Sequence, residues 1–355
     1  TGLIADHLEL AGSTNRVRQY LLRAGNEAAA RYANEEAIGY FNRALKLTGD
    51  TDLHGRYELL LAREQAYSFT GDRPAQEGDL VALESLVATL GDREKQAETA
   101  LLRADYALKT SDHQGSLQAA QRAVAIALEI GDLDQEAKGR IMWGRIILPQ
   151  GNLQGAESQF NKALSLARSA NSQRLVGNAI YFLGIVAFMR YETQSAVRFI
   201  SESLAQHRKT SDRYGELNDL NLLGNIHRQE KDFTQGLKYY KAALALSREI
   251  GDRLSEGLLL NNIGGLFREI GILKEAQQNF RQALAIHRQI RNINFVNASL
   301  WGLGFCACFL EGRYWEAISY VEDGLALARE KHLREEEAAF LLLLGDTKIG
   351  LQKWS

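Results

Sequence analysis

Cysteine and proline are nearly missing from this sequence, two of each in 355 residues, and so is any excess of charge, with 42 Lys and Arg against 44 Asp and Glu. The two thiols, Cys306 and Cys308, are spaced so that on a helix their side chains point about 200° apart, which excludes a disulfide between them. So few thiols in so long a chain point to a reducing, cytoplasmic setting. With proline rare and the remainder rich in alanine and leucine, little interrupts helix. A net charge of −2 gives no field that would gather nucleic acid or anionic lipid, so neither is expected as a partner. The longest plain apolar run, Ala338 to Leu344, is far short of the roughly 20 residues that cross a bilayer. An initiator methionine and a signal-peptide pattern are also lacking at Thr1, and Trp354-Ser355 fall before a second helix of the last unit. The sequence reads as a piece of a longer protein.

Motifs that carry chemistry are scarce as well. Gly302-Leu303-Gly304-Phe305-Cys306-Ala307 matches the loose dinucleotide fingerprint, in which glycines let backbone approach a pyrophosphate at a helix start. Gly304 is in phase with Gly264 and Gly224, however, and no strand is expected before it, so these are packing glycines inside a helix. No Gly-Lys dipeptide occurs, and with it no phosphate-binding loop. The seven histidines show no metal-ligand spacing, and His207 and His287, two repeats apart, would stand about 20 Å from one another at roughly 10 Å per packed helix. No nucleophile, base and oxyanion set assembles from the spacing. The expectation is no cofactor, no metal and no catalysis within this chain.

What is present is a period. Gly91-Asp92, Gly131-Asp132, Asn171-Ser172, Ser211-Asp212, Gly251-Asp252, Arg291-Asn292 and Lys331-His332 each fall 40 residues after the last. Glycine takes the left-handed conformation that ends one helix and aspartate caps the next, so each pair is a stop and a start. Asp132 with Gln135 has the spacing of a capping box. Half-way between lie Gly71-Asp72, Ser111-Asp112, Gly151-Asn152, Lys231-Asp232, Gly271 and Gly312, which makes every unit a hairpin of two helices. Pro149 should end or kink its helix, since its ring clashes with the carbonyl four residues back. First helices repeat Leu183-Gly184, Leu223-Gly224, Ile263-Gly264 and Leu303-Gly304, where glycine lets the paired helix come close. Second helices carry Ala156, Phe160 and Ala163, then Gly236, Tyr240 and Ala243, then Ala276, Phe280 and Ala283, the spacing of one buried face.

This pattern resembles the tetratricopeptide repeat over about residues 12–355, with the usual unit of about 34 residues lengthened by longer helices. The resemblance implies an all-α fold, a right-handed superhelical solenoid of antiparallel helix pairs with about 40 residues per repeat, binding a protein or peptide and not acting as an enzyme. The unit Arg93 to Ile130 departs most, with Ala104 and Ser116 where glycine and alanine are typical. Residues 1–48 are read as a helical lead-in with a first repeat, and 49–355 as about seven further units, the last incomplete. Within the lead-in, the stretch from Tyr20 to Leu45 is similar to the segment that joins the nucleotide-binding part of bacterial STAND ATPases and related regulators to their repeat arms. That resemblance implies the sensor arm of a larger signal-transduction protein; the alternative is a free-standing scaffold that organises a protein complex.

First helices of such a stack line its concave side. The stripe that starts three residues before each recurrent glycine reads Ile141, Arg145 and Leu148, then Tyr181, Ile185 and Phe188, then Asn221, Asn225 and Arg228. It continues with Asn261 and Arg268 and ends on Trp301, Phe305 and Cys308. Arg145, Tyr181, Phe188, Asn221, Asn225, Arg228, Asn261, Arg268, Trp301 and Phe305 are the candidate contacts for a protein, peptide or small-molecule effector, amide and guanidinium groups serving its backbone or carboxylates and aromatic rings its anchors. The asparagines weigh most, because asparagine is a mediocre helix former and costly to bury without partners.

Overall fold

The computed structural model describes residues 14–31, 33–290, 292–310 and 313–352; Thr1, Arg291, Gly312, Trp354 and Ser355 lie outside the described residues. Among the described residues there are seventeen helices and no strand. They fall into two compact units, divided between Asp212 and Arg213. The first holds α1 (Thr14–Ala30), α2 (Asn34–Lys46), α3 (Leu53–Thr70), α4 (Arg73–Leu90), α5 (Arg93–Lys109), α6 (His113–Ile130), α7 (Leu133–Ile147), α8 (Leu153–Ser169), α9 (Gln173–Met189) and α10 (Thr193–Lys209). The second holds α11 (Arg213–Gln229), α12 (Phe233–Glu249), α13 (Arg253–Glu269), α14 (Leu273–Gln289), α15 (Ile293–Phe309), α16 (Tyr314–Glu330) and α17 (Arg334–Gln352). Within each unit, consecutive helices pack as antiparallel hairpins and stack on the next hairpin. Among the described residues no helix is long and apolar enough to cross a membrane.

The turns keep strict time. Positive φ recurs every twentieth residue from Gly71 through Gly91, Ser111, Gly131, Gly151, Asn171, Tyr191, Ser211, Lys231 and Gly251 to Gly271. Tyr191 belongs to the series although the sequence reading passed over it, and in the last turn the left-handed residue is His332, one place later than the period sets. Carboxylates or amides of Asp72, Asp92, Asp112, Asp132, Asn152, Asp232 and Asp252 each accept the backbone N–H three residues on. Asp132 thus makes its half of the capping box, while Gln135 Oε1 is buried without a partner among the described residues. α7 stops at Ile147, where its equivalents α9 and α13 run to Met189 and Glu269, two residues further in phase. Pro149 is the cause, since it cannot continue the ladder.

Four of the recurrent glycines, Gly144, Gly184, Gly224 and Gly264, face a large side chain of the second helix sixteen positions on. A Cβ on Gly224 would meet the Tyr240 ring at 2.5 Å and one on Gly264 would meet Phe280 at 2.9 Å. Phe160 stands against Gly144, and Ile200 against Gly184, in the same way. Where α5 carries Ala104 in place of glycine, α6 carries Ala120 in place of the aromatic, and Ser116 Oγ donates to the Ala104 carbonyl at 2.7 Å. One hairpin earlier the same two places hold a polar pair: buried Gln76 donates to buried Glu64 at 2.6 Å, and burial raises the Glu64 carboxyl above its ordinary range. Cys306 and Cys308 are free and buried.

Candidate functional site

Seven of the ten candidate residues lie in the unit Arg213 to Gln352, on α11, α13 and α15, which are the first helices of successive hairpins. Asn221, Asn225, Arg228, Asn261, Arg268, Trp301 and Phe305 are all half-buried, neither in the core nor free in solvent. The other three, Arg145, Tyr181 and Phe188, are half-buried on α7 and α9 of the first unit. There the Arg145 guanidinium lies 5.8 Å from the Phe182 ring centre and 3.8 Å from Asp105, and Tyr181 meets Phe182 edge-on at 5.2 Å. Ile141, Leu148 and Cys308 leave the stripe: all three are buried in hydrophobic clusters.

Each of the three candidate asparagines is tied to a neighbour. Asn262 Nδ2 donates to Asn221 Oδ1 at 2.9 Å, from α13 to α11. The hydroxyl of fully buried Tyr240 donates to Asn225 Oδ1 at 2.6 Å. Ser299 Oγ donates to Asn261 Oδ1 at 2.9 Å, which leaves the Asn261 amide nitrogen to face His287 Nε2 at 3.3 Å. An N–H donor facing Nε2 needs a lone pair there, so the His287 ring is neutral. Burial works in the same sense and lowers its pKa to about 4, against the carbonyl of Gly257, which raises it. The side-chain oxygens of Asn221, Asn225 and Asn261 thus all accept hydrogen bonds within the fold.

The two arginines in equivalent places differ. Arg228 donates through Nε to Glu269 Oε1 at 3.0 Å and reaches the same oxygen with a second nitrogen. Its guanidinium crosses α13 at Gly265, where an added Cβ would come within 3.2 Å of it. Arg268 instead rests on aromatic rings, 5.1 Å from the Trp301 centre and 4.9 Å from that of Phe305, whose ring is tilted against Trp301 at 5.5 Å and against Phe309 at 4.6 Å. Burial lowers the Arg268 pKa, against the neighbouring Glu269 charge, which raises it, and the Arg228 charge adds to the lowering. The indole N–H of Trp301 is buried with no partner among the described residues, so packing alone holds that ring. Among the described residues no three His, Cys, Asp or Glu side chains come together to hold a metal. Gly302 and Gly304 sit inside α15 against Phe280 and Val321, as packing glycines.

Glu269, Gly265, Asn262 and Ser299 lie beside these residues and were not singled out from the sequence, whereas Tyr240 was singled out there as a core residue. A signal for two of them exists: Arg228 with Glu269 and Asn221 with Asn262 are each 41 residues apart, one repeat and one residue. Tyr57 with Glu98 and Lys109 with Ser68 repeat that separation in the first unit.

Residues 217–289 match the profile of the tetratricopeptide repeat family. No curated protein matches the sequence. Among solved structures, the chain is similar to a Rap protein complexed with competence and sporulation factor, at 13% identity and a TM-score of 0.62, over 95% of this chain and 99% of that one. It is also similar to the apo form of the quorum sensor NprR from B. thuringiensis, at 15% identity and a TM-score of 0.62, over 95% and 94%. A third likeness is to a Signal Transduction ATPase with Numerous Domains (STAND) protein with a tetratricopeptide repeat sensor from Pyrococcus horikoshii. It has 13% identity and a TM-score of 0.59, over 90% of this chain and 49% of that one. At such identities the likeness is one of fold: this is a helical-repeat array of the tetratricopeptide type.

Proposed function

We propose that this chain is a non-catalytic module that binds a peptide or an extended protein segment along its first helices, and that it serves as the cytoplasmic sensor arm of a larger STAND-type ATPase or regulator. The observation that carries the binding role is the contrast between two faces of the same helices. Toward the second helix every unit from Gly144 to Gly264 repeats a glycine under a large side chain. Away from it, amides, guanidinium groups and aromatic rings replace one another from unit to unit at equal half-burial. A constant face keeps the stack, and a variable face is where specificity is built. Repeat proteins of this fold include one seen with competence and sporulation factor and one described as a tetratricopeptide sensor on a STAND protein. The Tyr20 to Leu45 stretch supports the sensor arm over a free-standing adaptor.

Selection of peptides from a displayed heptapeptide library on the whole chain tests the binding role. Selected peptides should bind Asn221→Ala and Trp301→Leu variants about tenfold more weakly or worse, as expected when a desolvated backbone group or an anchor loses its partner. Selection of nothing, or of peptides indifferent to both substitutions, would refute the proposed groove. The sensor-arm reading is tested separately by the coding sequence upstream of Thr1, which should encode a phosphate-binding loop; an upstream region without one leaves the adaptor.

A further inference from the structure

The last described helix, α17, is apolar on two sides. One side packs into the unit: Phe340 and Leu343 are buried there, and the Phe340 ring stands against Gly324 of α16. The other side is open. Ala338, Leu341, Leu342, Gly345 and Ile349 share it at helical spacing over three turns, all of them exposed, Leu341 by 46%, Leu342 by 74% and Ile349 by 55%. Leu341 stands where Ile180, Leu220, Leu260 and Leu300 of the earlier first helices are 1–4% exposed. Gly345 follows a leucine as Gly224 and Gly304 do, yet a Cβ on it would meet nothing within 4 Å, where one on Gly224 meets the Tyr240 ring. The fold thus leaves a seat for a large side chain over Gly345, and one turn away a leucine whose place in every earlier unit is core. An exposed apolar stripe of this extent marks a contact surface.

We infer that a second copy of this chain covers this face, α17 packing antiparallel on its partner's α17 about a two-fold axis near position 343. The face is complementary to itself. In that register Leu341 of each copy enters the seat over Gly345 of the other, one contact made twice, as a two-fold interface requires. Lys348 and Glu337 lie on one flank of the face, three turns and about 20° apart, and the same axis sets Lys348 of each copy against Glu337 of the other. Lys348 is exposed and makes no ion pair among the described residues, while the bond from Arg329 takes one oxygen of Glu337. Parallel pairing would instead bring the acids of the first turn, Glu335, Glu336 and Glu337, against their own copies. A helix of another protein would account for the apolar stripe, but not for a cation and an acid placed symmetrically about the same centre as Leu341 and Gly345. One helix face per copy falls short of the roughly 800 Å² per partner of a standard interface, so the dimer belongs in the micromolar range. It does not depend on peptide binding.

Sedimentation equilibrium of the whole chain tests the dimer. The 39.6 kDa chain should pass from monomer to dimer between roughly 1 and 200 µM. Leu342→Glu, at a position 74% exposed where a charge disturbs the monomer little, should raise the dissociation constant about tenfold or more. Lys348→Glu and Glu337→Lys should each weaken the dimer and together restore it, a rescue that an unspecific apolar contact would not show. Oxidation reads the register, since the native cysteines are buried. Leu342→Cys lies beside its own copy near the axis and should form a disulfide-linked dimer about tenfold faster than Ile349→Cys, which stands about 18 Å from its copy along the helices. A chain that stays monomeric at the highest concentration overturns the proposal and leaves the face to a different partner. Dimers indifferent to Leu342→Glu, exchanged charges without rescue, or equal cross-linking at both cysteines overturn it as well. Should a charge-exchanged chain not fold, Leu342→Glu and the two cysteine variants still decide.

Discussion

A buried histidine gives this protein a predictable response to acid. His287 is 0% exposed, stacked at 5.1 Å on Phe295, and kept neutral by burial and by the Asn261 amide. Its pKa in the fold is near 4, against 6.5 for the free side chain. Because the folded value is the lower one, protonation favours the unfolded chain: the contribution is whole above about pH 6.5 and is lost as pH falls toward 4, below which both states carry the proton. The difference corresponds to on the order of 3 kcal/mol. Urea unfolding between pH 7 and pH 4 should therefore show a steeper loss for the unsubstituted chain than for His287→Ser, serine being the residue at the equivalent place 247. Equal slopes would show that the ring is already solvated. From the sequence, His287 and His207 were legible only as a repeated pair outside any metal spacing. That they are core groups bonded to Asn261 and to Asn178 depends on which helix faces them.

Among the helices and turns, the most informative position is one with the wrong residue for its conformation. Tyr191 takes φ of +61° while 77% exposed, in the series where Gly151, Gly251 and Gly271 take the same conformation without a side chain. A side chain in that region costs roughly 1–2 kcal/mol that glycine avoids, and little packing is lost by removing an exposed ring. Tyr191→Gly should raise stability by about 0.5–1 kcal/mol after the entropy of the unfolded glycine is set against it. A thermal melt with no gain would mean the ring contributes more than its exposure implies. Helix ends were readable wherever a glycine or a capping acid marked them, and Pro149 was readable as a stop. Tyr191-Glu192 was not, because neither residue favours a turn; the frame of its neighbours imposes one. The exchange of sizes at Ala104 and Ala120, and the Glu64–Gln76 pair, were likewise hidden, since each is a relation between two helices.

Across a whole unit, stability in such a stack is a sum of hairpins and their contacts with the next. Gly224→Val places a branched side chain against the Tyr240 ring, an overpacking expected to cost about 1–3 kcal/mol. Hydrogen exchange should report the loss most strongly in α11 and α12, less in α13 and α14, and least in α16 and α17; uniform loss through Arg213 to Gln352 would mean that the unit opens as one body. Helical phase decides which residues share a face, and the ten candidate contacts are all half-buried, while Ile141, Leu148 and Cys308 of the same stripe are core. The bonds that organise it were not, since they join helices a repeat apart. The twenty-residue beat of left-handed turns bears on the gene as well as on the chain. Excision of residues 92–131 would join Gly91 to Asp132, a stop residue to a capping acid in the same phase, and take out one hairpin whole. A block of forty codons is thus one whose loss or gain would keep the turns in phase, and it would carry one first helix, with its own candidate groove residues, into or out of the proposed binding face.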